Sequence, residues 1–599
     1  VRIRAIKIGF LGIVVLIGCS WQPAAQQLAF PGAEGYGKYA SGGRGNGSTG
    51  RIAIVTNLED DVENPPEGSL RWAFQQGTEV LVDPIIGEYT VYRPLTIVFR
   101  VGGVINLEDD LKVSRKHITI AGQTAPGDGI CIRGATVNLG GSTNLIVRYI
   151  RFRPGDEKSS EVSALRIENG GNFIIDHCSM SWAIEETTHF SSSPNFTVQW
   201  CIVSESLYSS IHKKGSRGYA TQWGGEYASY HHNLLAHHNS RMPRINGSNE
   251  NDIEALVDYR NNVNYNWGSS GAFYGGEWEN TNGQGFCKTN VVNNYFIPGP
   301  ATSSSVYFAR PSLVREGRTL DGYADWYFAG NTMLGHTDLT NNNWLGVDGS
   351  NVGGIENIRS DIEAVQVDGE LEDYDNYTET AEDAYLSVLE NAGAILPKRD
   401  VIDERVIKEV NGDLEIVRYA YEIDGQVTPI KGINSGLIDT QKNLVPNDAA
   451  EGTTAWDVYT TTPESEAPVD NDRDGMPDEW ELENGLNPND SLDFRLIAAN
   501  GYSNLENYLN ELTVVVSANE IMSANKFKVF PNPVTDVFHI QSSEIIKKVD
   551  VFSLSGKKVF GRANKNGIHE LGIQNLPTGI YMLKAVSEKE TFTQKIVKK

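Results

Sequence analysis

Seven stretches of this chain repeat one pattern, and no other feature limits the fold so sharply. NLIVRYIRF begins at Asn144, NFIIDHCSM at Asn172, NFTVQWCIV at Asn195, YASYHHNLL at Tyr227, EALVDYRNNV at Glu254, FCKTNVVNNYF at Phe286 and WYFAGNTML at Trp326. Each is a short run rich in β-branched and aromatic residues. Successive starts lie roughly 23 to 40 residues apart, which suits one solenoid turn with loops of variable length. One such turn cannot bury its apolar face alone, whereas stacked turns can. Asn233, Asn262, Asn294 and Asn331 recur inside the runs, where amide side chains can bond from turn to turn. Hairpin signals such as Asn-Gly or Asp-Gly between paired runs are scarce. The expected fold is all-β, a right-handed parallel β-helix.

With 51 Lys and Arg against 77 Asp and Glu, the net charge of −26 argues against nucleic acid or anionic membranes as general partners. An acidic polymer would be repelled as well, unless a cation bridges the two. Between Glu205 and Ile245 the balance reverses locally, so an acidic substrate could be received there. Cys131, Cys178, Cys201 and Cys287 sit far apart within apolar runs and read as buried free thiols. Arg2, Arg4 and Lys7 precede an apolar run from Ile8 to Ile17, followed by Ala24 and Ala25, as in a secretory signal. Leu16–Cys19 also fits a lipoprotein cleavage box, with Cys19 the acylated residue. Plain signal cleavage is preferred because the far end of the chain offers another route of export.

Five segments result: a signal peptide over 1–26, the coil with a wrapping segment over 27–465, a calcium-loop module over 466–513, a linker over 514–526 and a small β-sandwich over 527–599. In the wrapping segment, TAEDAYLSVLENAG has helical spacing, with Gly393 as its stop. DNDRDGMPDEWE places Asp470, Asp472, Asp474, Gly475, Asp478 and Glu481 at positions 1, 3, 5, 6, 9 and 12 of an EF-hand loop, which implies a structural calcium. An amphipathic helix is expected over Leu496–Leu512. The last segment alternates apolar and polar residues in several short strands.

AFPGAEGYG, ITIAGQTAPGDGICIRG, IVRYIRFRPGDE, FIIDHCSMSWAIEE and YHHNLLAHHNSRMPR resemble, in order, the motifs of bacterial pectate lyases of polysaccharide lyase family 1. FPNPVTD and LPTGIYMLKA resemble the type A sorting domain of type IX secretion, whose machinery would then be a partner. The first resemblance implies cleavage of pectate (polygalacturonate) by calcium-dependent β-elimination. It assigns Arg241 as the catalytic base, Arg244 as a bidentate partner of a substrate carboxylate, and Lys213 or Lys214 as a further substrate cation. Asn246 stands where the family has an arginine. Calcium ligands map onto Glu161, Glu185 and Glu186, with Ser163 where an aspartate is usual, and Asp176 reads as structural. A monomer is expected.

His231, His232, His237 and His238 invite a metal-site reading. Alternate strand residues point to opposite faces, however, so the four cannot share one, and packed scaffold histidines are the better reading. Two other functions are weighed: a lyase for methylated pectin, against which Glu185 and Glu186 argue, and a surface β-helix that binds carbohydrate without cleaving it.

Overall fold

A computed structural model describes residues 26–45, 49–84, 86–158, 160–268, 271–278, 285–303, 306–312, 323–364, 377–423, 426–428, 435–513, 527–530, 534–542, 544–553, 558–577, 579–587 and 591–598. The signal segment, Cys19 and the linker 514–526 lie outside the described residues.

Each repeat contributes one strand to each of three parallel sheets. The first sheet has ten strands, from Arg51–Val55 to Asp325–Ala329, the second nine and the third eight. Chain order is kept within every sheet, so the molecule is a coil whose turns stack in sequence, as expected. Leu145, Phe173, Phe196, Ala228 and Val257 lie in register across the first sheet and point inward into one continuous core.

The bend between the first and second sheets carries the amide ladder. Asn233 Nδ2 donates to Asn262 Oδ1 (3.0 Å), Asn262 to Asn294 (3.1 Å), Asn294 to Asn331 (2.9 Å) and Asn331 to Asn343 (3.0 Å). Each of those oxygens also accepts the backbone N–H of the donor residue, at 2.8–3.0 Å. Two buried thiols occupy the earlier rungs: Cys201 N–H donates to Asn233 Oδ1 (2.9 Å) and Cys178 N–H to Cys201 Sγ (3.4 Å). All four described cysteines are free and buried.

The residue before each rung is left-handed, as the tight bend requires: His177, Trp200, His232, Asn261 and Asn293 have φ of 49–54°. His177, Trp200 and His232 stack face to face, which pays part of that strain back in packing. The opening histidine pair of the HHNLLAHH stretch is thus one buried His231 and one stacking His232. His238 Nε2–H donates to Val203 O (3.0 Å) and Nδ1 accepts from Ser206 Oγ (2.7 Å), and His237 faces Glu409. No metal-ligand grouping among the described residues includes any of the four.

Helices Ala381–Asn391 and Val401–Asn411 cover the second sheet, capped at their starts by Thr380 and Asp400. They bury Val388, Leu389, Val406 and Val410 against Leu234, Val263 and Tyr295. The later helix runs over 504–513 and is shorter than expected. Ser503 and Glu506 form a capping box (Glu506 N to Ser503 Oγ 3.2 Å, Ser503 N to Glu506 Oε2 2.8 Å) that sets its start, while Leu496–Gly501 turn back on themselves. The tail forms antiparallel sheets of three and four strands around Phe538, Val549, Val551, Leu571 and Leu583.

Candidate active site

The third sheet supplies a row of outward residues, one per turn. Strand register aligns Lys112, Asn138, Arg166, His189, Gln222, Arg244, Tyr274 and Arg310. Their strand neighbours Leu111, Val137, Leu165, Phe190, Trp223 and Ile245 point into the core, and alternation therefore turns the row outward. Turns stack about 4.8 Å apart, so the row is a closely spaced track of basic and hydrogen-bonding groups perpendicular to the strands.

At the centre of this row the charges crowd. Glu185 and Ile184 N–H groups both donate to Val162 O (3.0 Å), which sets Glu161 beside Glu185 on adjacent turns. Glu161, Glu185 and His212 converge, with candidate ligand atoms all within 4.8 Å of one another. Lys214 N–H donates to His212 Nδ1 (2.9 Å), so the ring proton is on Nε2, where it donates to Glu185 Oε1 (2.6 Å). Both nitrogens are committed, and His212 orients a carboxylate rather than offering a lone pair. That leaves an oxygen donor set, which fits a hard divalent cation and not a transition metal. Side-chain exposures of 25% for Glu161 and 19% for Glu185 keep the pair reachable from solvent.

Glu186 was expected beside them as a ligand, but it faces the arginines instead. It accepts from Arg241 Nη1 at 2.5 Å and from Arg217 Nη2 at 3.2 Å. Burial pushes its carboxyl up, but Arg241, His189 and Arg217 outweigh that and hold it below the usual range. Arg241 Nη1 also donates to Gln222 Oε1 (2.9 Å), and its guanidinium lies over the Tyr219 ring at 4.3 Å. Arg217 lies over the same ring at 4.4 Å and donates to Glu185 Oε2 at 2.7 Å.

Arg241 is a left-handed residue (φ 64°), a conformation that costs about 1–2 kcal/mol outside glycine. It is held there from both sides: Thr221 N–H donates to Arg241 O (2.9 Å) and Met242 N–H to Ala272 O (3.0 Å).

The remaining expected substrate contacts are placed differently. Arg244 donates to Glu277 (2.9 Å) and to Asn246, and it is buried. A bidentate grip on substrate would first have to break that pair. Lys213 Nζ donates to Glu161 (2.6 Å), while Lys214 is exposed. Ser163 is buried, and Asp176 is internal, paired with Arg148 (2.7 Å) and accepting from Gln199 (2.7 Å). His212, Arg217, Tyr219 and Gln222 were not anticipated. The signal was present in SIHKKGSRGYATQW, since Tyr219 pairs in register with Glu186 and Gln222 with His189, but loop length hides that register.

In the calcium-loop module, Asp470, Asp472 and Asp474 form one close group and Asp474, Glu481 and Asp493 another. Asp478 is outside both, because its oxygens accept from Asn471 N–H (2.8 Å) and Nδ2 (2.5 Å). Burial first, then the neighbouring carboxylates, push Asp474 up to about 8 and Glu481 to about 7.

Three coiled parallel sheets, with a basic and hydrogen-bonding outward row and the Glu161–Glu185 pair beside it, suit a β-helix enzyme of acidic polysaccharides. The chain belongs to the pectate lyase family. It is 34% identical over 487 residues to the probable pectate lyase C of Emericella nidulans, covering 81% of this chain and 93% of the relative. With the corresponding protein of Aspergillus flavus the identity is 33%, covering 81% and 94%. Solved structures of the cedar-pollen allergen jun a 1 and of Erwinia chrysanthemi pectate lyase C show TM-scores of 0.41 and 0.34 at 17% and 15% identity. They cover 60% and 62% of this chain and 92% and 98% of their own. Residues 528–599 match the secretion system C-terminal sorting domain, which marks the chain for export to the cell surface or beyond.

Proposed function

We propose that this exported chain cleaves pectate by calcium-dependent β-elimination at the Glu161, Glu185 and Arg241 cluster. The supporting observation is the pairing itself: two reachable carboxylates on adjacent turns, with an arginine held in a costly backbone conformation beside them. Glu161 and Glu185 would hold the cation, and His212 keeps Glu185 turned toward it. Bound there, calcium supplies charge withdrawal from the uronate carboxylate next to C5 and so acidifies the C5 proton.

Arg241 in its neutral form takes that proton, the role the family resemblance assigns it, and Tyr219, Gln222 and Glu186 fix its plane for the task. The C5–H electron pair becomes the C4=C5 bond, the C4–O4 bond breaks, and O4 leaves with a proton drawn from the site or solvent. A guanidinium is a poor ordinary base, since free arginine stays protonated above pH 12 or so, and the base role rests on the family resemblance. Arg166, Gln222 and Arg310 on the outward row would receive neighbouring uronates. Lys213, paired with Glu161, and exposed Lys214 are the lysines at its rim. The type IX secretion machinery is the proposed partner for export.

The test is the ultraviolet absorbance of unsaturated product on de-esterified and methylated polymer, each with and without calcium. Product is expected from the de-esterified polymer with calcium and its loss with chelator. Arg241→Lys should lower turnover by about 10²–10⁴-fold with KM little changed. Absence of unsaturated product on both polymers would sink the assignment. Activity confined to the methylated polymer without calcium would replace it with a pectin lyase.

A further inference from the structure

We propose that Asp470, Asp472, Asp474, Glu481 and Asp493 form a second calcium site, separate from the catalytic cluster, that clamps residues 470–513 onto the first turns of the coil. The acidic residues alone would not justify this, but their burial and lack of partners do. Asp474 and Glu481 are fully buried and Asp493 nearly so. Both oxygens of Asp472, both of Glu481, Asp474 Oδ2 and Asp493 Oδ1 are buried without a hydrogen-bond partner. Leaving one such oxygen unsatisfied is costly, and six of them drawn together demand a cation.

The other oxygens build the loop itself. Asp470 accepts from Asp474 and Gly475 N–H (both 3.2 Å), and Asp474 Oδ1 accepts from Met476 N–H (3.0 Å). Gly475 has φ of 90°, a left-handed turn that favours glycine, and it packs against Ile52. A set made only of carboxylate oxygens, with Glu481 offering both of its own, selects calcium over zinc or copper.

The departure from an ordinary EF-hand loop gives the site its role. Position 9, Asp478, is spent on Asn471, and its place is taken by Asp493, the first residue of the 3-10 helix Asp493–Arg495 in the following loop. The ion would therefore join two loops instead of closing one. Met476 and Phe494, each next to a ligand or one residue from it, pack with Leu505 and Leu509 on Ile54, Val98 and Ala121 of the first sheet. Fixing the ligands thus fixes the apolar plugs.

The test uses the full chain, with calcium alone as the probe. Calcium should raise the melting temperature, and calcium-displaceable terbium luminescence excited through Trp480 should report the site directly. Asp493→Asn and Asp474→Asn should weaken calcium binding by about 10–100-fold, while Asp478→Asn should change it by no more than about twofold. Glu185→Gln should keep the full thermal shift, since that residue belongs to the other site, and this readout is independent of activity. A thermal shift lost in Glu185→Gln, equal binding by Asp493→Asn and the unsubstituted chain, or melting of the unsubstituted chain insensitive to calcium overturns the proposal. Should Asp474→Asn fail to fold, the terbium titration of the unsubstituted chain against that of Asp493→Asn still decides.

Discussion

Tyr219 is the residue on which the two arginines of the site depend. Its ring lies under Arg217 and Arg241 at once, and between them these arginines reach Glu185 and Glu186. A cation held over an aromatic face in a partly dry site gains about 0.5–2 kcal/mol. Tyr219→Leu should therefore lower kcat/KM by roughly 2- to 30-fold for each guanidinium it releases, while Tyr219→Phe, which keeps the π face, should stay near the unsubstituted value. Steady-state kinetics on de-esterified polymer would check this. Equal losses in both variants would mean that the hydroxyl, not the ring, is what matters.

Among elements, the bend ladder does most to hold the turns in register. Each interior asparagine satisfies a backbone N–H and a side-chain amide of the turn before it, and donates to the turn after. Asn262→Leu leaves the Asn233 backbone N–H and one N–H of its Nδ2 without acceptors, while the other N–H keeps Val198 O. Two orphaned buried donors cost about 2–6 kcal/mol together, read as a lower urea midpoint at unchanged slope. Cys201→Ser, by contrast, should stay within about 1 kcal/mol, because a hydroxyl can still accept from Cys178 N–H and donate to Gln199 O, as the thiol does.

At the scale of the whole molecule, the wrapping helices are tied to the coil by charges buried far apart in sequence. Arg153 donates to Asp400 (2.6 Å) and Asp403 (2.7 Å), and Glu205 accepts from Arg405 (2.7 Å) and Arg418 (3.1 Å). Burial raises Glu205, but Arg405 and Arg418 outweigh it and bring its carboxyl down to about 2. Burial also lowers His231, His232, His237 and His238, the last to about 3. These histidines are neutral when folded but take up protons below about pH 6.5 when unfolded, so stability falls as pH drops from there toward the folded values. Each contributes about 1.4 kcal/mol per pH unit over that window. The Glu205 contribution is complete above about pH 4.3 and is lost between there and about 2. Urea midpoints should therefore decline from about pH 6.5 downward and steepen below about 4.3. A flat profile between pH 7 and 5 would contradict the neutral, buried state of the histidines.

The amino-acid order alone determined the coil, because a solenoid writes its period into the chain: the strand runs, the recurring asparagines and the Asp470–Glu481 spacing are all local patterns. Arg241, proposed as the base, stood out in the sequence for the same reason, lying in a contiguous motif. The tertiary structure alone decided which side chains meet across turns. Loops of unequal length separate Glu186 from Tyr219, Arg217 from Glu185 and Asp478 from the Asp493 that takes its place, so no spacing rule predicts them. Register between turns is set by burial of the inward residues and by the amide ladder, and only once it is set does each outward charge acquire its partner. That is why Glu186 could be read as a calcium ligand and Arg244 as a substrate cation from their motifs, yet in the folded chain they sit in pairs with Arg241 and Glu277.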